Sequence, residues 1–397
     1  MPMKLSYETL RGAVTGTGAA FRSVTRLQPV GGAGDRVFPA TYSGGVYAIE
    51  KRRVVENGAA REINCILLNS CSSEANHAEV ALLEAIRRGQ IQLPLIEVDF
   101  SEANSEFLKP VQNLTSLEVP HRLADAILRD SVLADGTRFS KSEHAKKWAG
   151  ANLWNATAIY ELCPTALVFG MWGSPDKPGG LGAKFERAYV SEIVAVDTEE
   201  VPKKMGFRID PLGASSSVMS RKTEEGFEVL DGKAKGLKPS ELNHGNIVVE
   251  SSNGGVRCKY AEQTTVISLG ALRKLRFPGS DGKKNADDAG RTVLAAIGLC
   301  AAVLASERGT SLRSRCHLFP EEARTWHLLD KPGVPPGEFE VTGDETATIL
   351  AEAVSAAKAA GLGWLDNSLE LKPAKELVKL IRESQIATAT KETTEDA

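Results

Sequence analysis

The residues best suited to chemistry in this chain are bases and small polar groups set close together. Lys51-Arg52-Arg53 precedes Asn69-Ser70-Cys71-Ser72-Ser73-Glu74-Ala75-Asn76-His77, so a basic strand leads to a Ser-rich turn that opens a helix. A helix N-terminus offers unsatisfied N–H groups and a partial positive charge, which together suit a phosphate. Ser72 or Ser73 can also be an ordinary N-cap; three adjacent bases favour the phosphate reading. A second segment is Gly179-Gly180-Leu181-Gly182-Ala183-Lys184. It lacks P-loop spacing, and Phe185 stands where Ser or Thr would ligate magnesium and where a dinucleotide fingerprint needs its third glycine. Two readings stay open: a flexible turn, or a backbone loop passing a phosphate with Lys184 and Arg187 as counter-charges.

Other chemistries find less support. Cys316-His317, His327 and Cys300 match no zinc spacing, and His121 and Asp125 read as a solvent-facing helix pair. No G-x-S-x-G, H-E-x-x-H or catalytic Cys signature is present, so no cofactor, metal or catalytic residue is expected.

The elements that must position these groups belong to an ordinary folded protein, 42% hydrophobic and 25% charged. At 397 residues it exceeds the usual single-core range. Six scattered cysteines without a C-x-x-C, and no signal-peptide run, predict reduced core thiols and a cytoplasmic location. The longest apolar run, Val293 to Ala305, covers 13 residues against the ~20 that span a bilayer, so no membrane is expected. Net charge is −3, but Glu340 to Ala397 carries −5 and Arg22 to Arg53 carries +4. That stripe can be an electrostatic footprint or a solvated face.

Strands are predicted at Phe38–Tyr42, Val46–Val55 and Ile63–Asn69, with an Asn57-Gly58 hairpin turn between the last two. A helix follows, with Ala75, Ala78, Leu82 and Ile86 on one face, ended by Gly89. Next come a strand at Ile91–Phe100, a mostly helical region from Pro120 to Glu161, and strands at Thr165–Met171 and Tyr189–Val196. Residues 202–245 read as an exposed loop or long hairpin. Strands resume at Ile247–Glu250, Val256–Tyr260, Thr264–Leu269 and Ser311–Leu318. A buried helix is expected over 286–306, and two amphipathic helices over 344–360 and 372–384. The mixture predicts an α+β fold.

Several stretches in order resemble the backbone subunit of type I-G (formerly I-U) CRISPR effector complexes. They are Gln28-Pro29-Val30-Gly31-Gly32 leading to Phe38-Pro39-Ala40-Thr41-Tyr42, Ser70 to Ala85, and Leu93 to Phe100. Leu114 to Glu118, Pro120 to Ala126, Gly179 to Glu192, Leu269 to Pro278 and Arg308 to Cys316 continue the resemblance, which covers roughly residues 20–320. It implies a ferredoxin-like (RRM-like) palm with an inserted helical region and a projecting thumb. The parts would be 20–115 and 163–335 for the palm, 116–162 for the helical insertion, and 336–397 for C-terminal helices and an acidic tail. The thumb would be 202–245, or alternatively the 46–69 hairpin.

The resemblance further implies a non-catalytic subunit that binds guide RNA (crRNA) in several copies, arranged head to tail. It would present the guide to a target DNA strand in antiviral defence, beside other Cascade subunits and a helicase–nuclease. Carried over residue by residue, the implied RNA contacts are Lys51, Arg52 and Arg53, with Ser70, Ser73 and Asn76 at the helix start. Arg36, Arg122, Lys184 and Arg187 complete the set. The family turn has an amide and a base where this chain has Glu74 and His77. Glu74 is therefore expected to face away, or backbone N–H groups alone to hold the phosphate. The alternative within the superfamily is an endoribonuclease that processes guide precursors, for which His77, His121 and His244 are available as acid or base.

Overall fold

The computed structural model describes the chain except residues 1, 57, 174–182, 201–205, 209–211, 224, 232–233, 243, 245–246, 250–253, 279–284 and 396–397. A short helix, α1 (Tyr7–Thr15), leads into β1 (Ala20–Pro29). The hairpin β2 (Ile49–Glu56) and β3 (Ala59–Asn69) follows, then α2 (Cys71–Arg87) and β4 (Ile96–Val98). After a region of short helical turns come α3 (Thr165–Phe169) and the two-residue strands β5 (Met171–Trp172) and β6 (Lys184–Phe185). The long strands β7 (Tyr189–Glu200) and β8 (Val256–Ser268) precede α4 (Asn285–Glu307). The chain continues through β9 (Thr310–Arg313), β10 (Cys316–Pro320), β11 (Trp326–Leu329), β12 (Gly337–Glu340), α5 (Gly343–Ala359), β13 (Leu369–Pro373) and α6 (Lys375–Glu395).

The fold is mixed α+β, as expected. Among the described residues the main sheet has ten strands, and its central run is β10–β1–β8–β7, with every neighbour antiparallel. β3 and β2 extend it beyond β7, and β11 shares the outer edge of β1 with β10. α2 lies in the chain between β1 and β7, α4 between β8 and β10, and the two helices pack together on one face.

Strand alternation decides which side chains that face buries. On β1, Phe21, Ser23, Thr25 and Leu27 are buried, whereas Arg22, Val24 and Arg26 stand exposed on the opposite, open face. One apolar core fills the space between the helices and Phe21, Tyr189 and Ile267. A second, around Leu27, Ile66, Leu68, Ala195 and Ala261, is closed by Val37 and Tyr47 from the segment before β2. The C-terminal region does not fold apart, because β13 pairs in parallel with β4 and Leu371 and Leu377 enter the main core.

The hairpin is borne out: Glu56 pairs with Ala59 and Gly58 adopts φ +78°, while Asn57 lies outside the described residues. Other local expectations need correction. Thr165–Phe169 is a helix, not a strand; a short all-apolar run carries no period that separates the two, and all five residues are buried. Phe38–Tyr42 forms no strand, since Pro39 cannot donate to a ladder; isolated bridges join Val37 to Val256 and Tyr42 to Val46. Ile91–Phe100 is a strand over Ile96–Val98, and residues 120–161 hold short helices, 3-10 turns and the two-residue strand Ser131–Val132. Val256 to Ser268 is one strand of 13 residues. Ser311–Leu318 is a hairpin turning at Arg315, whose φ is +58°.

Residues 202–245 continue the β7–β8 hairpin outward in their described parts. Gly206–Arg208 pairs with Ile247–Val249, and Met219–Thr223 with Gly226–Leu230. α4 is 23 residues long, enough to span a bilayer by length, but it is packed in the core between α2, α5 and the sheet. All six cysteines are unbonded, and burial pushes the Cys258 and Cys300 thiols up to about 11.

Candidate nucleic-acid interface

The Ser-rich turn does open a helix, two or three residues earlier than expected. Ser70, not Ser72 or Ser73, is the N-cap: its backbone is extended (φ −80°, ψ 161°) and its Oγ accepts from Ser73 N at 3.4 Å. Ser72 and Asn76 are thereby exposed on the first turns of α2. Arg187, from the strand lead-in to β7, reaches the same place and donates from Nη2 to Ser72 Oγ at 3.0 Å. Its path depends on Gly170, whose φ is +86° and where a Cβ would lie 2.7 Å from Arg187 Cγ. Two residues separated by 115 positions thus meet on the surface at a helix N-terminus, beside N–H groups that lack helical partners. An exposed guanidinium beside a dipole of the same sign is an anion-binding arrangement.

Glu74 does not spoil it. The carboxylate turns inward, is buried, and accepts from Asn69 Nδ2, from Ser191 Oγ at 2.8 Å and from Gln263 Nε2 at 2.6 Å. Behind it Arg324 donates to Gln263 and to Thr265 Oγ1. Burial pulls the Arg324 guanidinium down, while Tyr189 and Glu74 favour its charge. Glu192 lies 3.9 Å from Cys71 Sγ, and burial and this carboxylate push the Cys71 thiol up.

The basic triplet is divided by the strand that carries it. Lys51 and Arg53 point to the side of the sheet that bears α2, and Arg52 to the open face. Lys51 is exposed and pairs with Glu62 at 2.7 Å; Arg53 is also exposed. Arg52 is half-buried, bonded to Glu50 and 3.9 Å from Glu262. Lys51 sits opposite Asn64, five residues before Asn69, so it lies about 17 Å along the strand from the helix start. The two features are parts of a track, not one pocket.

The remaining expected contacts fall elsewhere. Arg122 stands apart from the surface bases: it is buried, gripping Glu79 with both arms at 2.5 and 2.7 Å and donating to Gly170 O at 3.0 Å. Its side chain cannot reach a phosphate without leaving Glu79 unpaired. Arg36 is half-buried and donates to Gly254 O at 3.2 Å. Lys184 is exposed, with its Nζ 6.0 Å above the Trp172 ring. Gly179–Gly182 lies outside the described residues.

The open face holds residues that the sequence reading passed over. Arg26 lies 4.5 Å over the Tyr260 ring, Arg22 is exposed beside His327, and Phe319 stands next to Gln28. The alternation of β1 was the signal available for them. Asp125 is not half of a metal pair, because its carboxylate caps Ile127 N and accepts from His121 N. Among the described residues no three His, Cys, Asp or Glu groups converge in a way that could hold a metal ion.

With this geometry described, comparison with known families gives one match. Residues 21–200 fit the family described as CRISPR-associated protein GSU0053, just under half of the chain. The matched stretch includes β1, the β2–β3 hairpin, the α2 start and Arg187. It supports a CRISPR-associated family and a role in CRISPR defence. No curated protein matches the chain.

Proposed function

We propose that this chain is a non-catalytic backbone subunit of a type I-G Cascade that holds crRNA by its phosphates. The observation that carries the reading is the meeting of Arg187 with Ser72 at the N-terminus of α2, inside the segment that matches a CRISPR-associated family. Phosphate contacts position a guide without reading it, and sequence recognition is left to base pairing with the target DNA strand. The β10–β1–β8–β7 order, with α2 and α4 on one face, supports a ferredoxin-like palm. The described strand pairs within 202–249 support a thumb. Several copies line up head to tail along one guide in the cytoplasm, with other Cascade subunits and a helicase–nuclease as partners.

The test is co-expression with a repeat–spacer array, followed by the absorbance ratio at 260 and 280 nm and sizing of bound nucleic acid. The expected result is RNA of discrete guide length, protected from nuclease and not cut by added protein. Arg187→Ala should reduce the RNA retained and flatten the salt dependence of binding by about 0.7 unit. Progressive cleavage by added protein would favour the endoribonuclease instead. Protein free of nucleic acid, alone and with its neighbouring subunits, would end the RNA-binding reading.

A further inference from the structure

We propose that Trp172 is a stacking platform for a base of the bound single strand, with Lys184 beside it as counter-charge to the sugar–phosphate chain. The inference rests on the guide-RNA reading and adds a contact made through bases. β5 and β6 form a two-rung ladder in which Met171 pairs with Phe185 and Trp172 with Lys184. Alternation sends the first pair inward, where Met171 and Phe185 are buried, and the second outward. Gly173 closes the ladder by donating to Ala183 O at 2.8 Å, and its Cα packs so closely on Trp148 that a Cβ would lie 3.2 Å from that ring. The backbone under Trp172 is therefore anchored, while the residue is 68% exposed.

A large flat ring held outward on an anchored strand, with an ammonium 6.0 Å from its centroid, matches what single-strand binders use: a π-face for any base and a charge for the backbone. The nearest acid in sequence, Glu186, is engaged by Lys274 at 2.6 Å and does not cancel Lys184. Position supports the same ligand. Lys184 is three residues from Arg187, at most about 10 Å along the chain, so neighbouring nucleotides of one strand can meet Trp172 and the α2 start together. Stacking of this kind does not depend on sequence, as a subunit repeated along any guide requires.

The test compares binding of oligo(A) RNA and of an abasic oligomer of equal length to the native chain, Trp172→Ala, Trp172→Phe and Arg187→Ala. Trp172→Ala should lose about tenfold on oligo(A), nothing on the abasic oligomer, and keep the native salt slope. Trp172→Phe should retain most of the affinity, and Arg187→Ala should weaken both ligands. Native affinity of Trp172→Ala for oligo(A), while Arg187→Ala is weakened, overturns the platform and leaves the guide-RNA reading intact. The platform is also overturned if Trp172→Ala binds RNA normally but assembles fewer copies along it, since the ring would then be a protein contact. If neither oligomer binds the native chain, the guide-RNA reading itself fails.

Discussion

Arg122→Ala is expected to destabilise the fold by about 3–5 kcal/mol, measured by chemical denaturation at neutral pH. The guanidinium is buried against Glu79, and its removal leaves a carboxylate in the core with no counter-charge. Burial already pushes the Glu79 carboxyl above its ordinary range, against the pull of Arg122. Without that pull the folded-state value rises further. A carboxyl raised on folding is tolerated below its unfolded value and costs stability as pH climbs through the folded one. The deficit of Arg122→Ala should therefore shrink on acidification and be largest at neutral pH. The double variant Glu79→Gln/Arg122→Met removes both charges and should recover most of the loss. Native stability with weakened RNA binding would instead make Arg122 a phosphate contact.

Lys51→Ala/Arg53→Ala is expected to flatten the plot of log affinity against log salt by about 1.4 units for single-stranded RNA. Between 50 and 200 mM salt that is about a sevenfold change in relative affinity. Arg52→Ala should move the slope by well under half a unit. The asymmetry follows from the pleat. Lys51 and Arg53 share the face that leads toward α2, and the single exposed ion pair of Lys51 with Glu62 is weak enough to exchange for a phosphate. Arg52 is on the other face and already held between Glu50 and Glu262. Equal flattening by Arg52→Ala would bring the open face, with Arg26 and Tyr260, into the interface. An unchanged slope in both variants would remove the hairpin from it.

What could be read locally was read well where the signal was itself local. The β2–β3 hairpin and the face of α2 follow from a short turn signal and a 3.6-residue period. Thr165–Phe169 defeated the same method because a five-residue apolar run has no resolvable period. β1 was missed although its burial alternates strictly, since Arg22 and Arg26 were read as a charge stripe and not as one face of a strand. Arg122 looked like one more surface base; the partner that buries it, Glu79, is 43 positions away.

The sequence by itself determined the α+β composition, the basic hairpin, the Ser-rich helix start and the resemblance to a CRISPR backbone subunit. Each depends on residue type and spacing over a few turns of chain. Only the tertiary structure decided that Arg187 meets Ser72, that Glu74 faces inward and that Arg122 is buried. Those outcomes depend on which distant strands become neighbours. Local propensity does not encode that choice, because burial of one shared core selects the pairing.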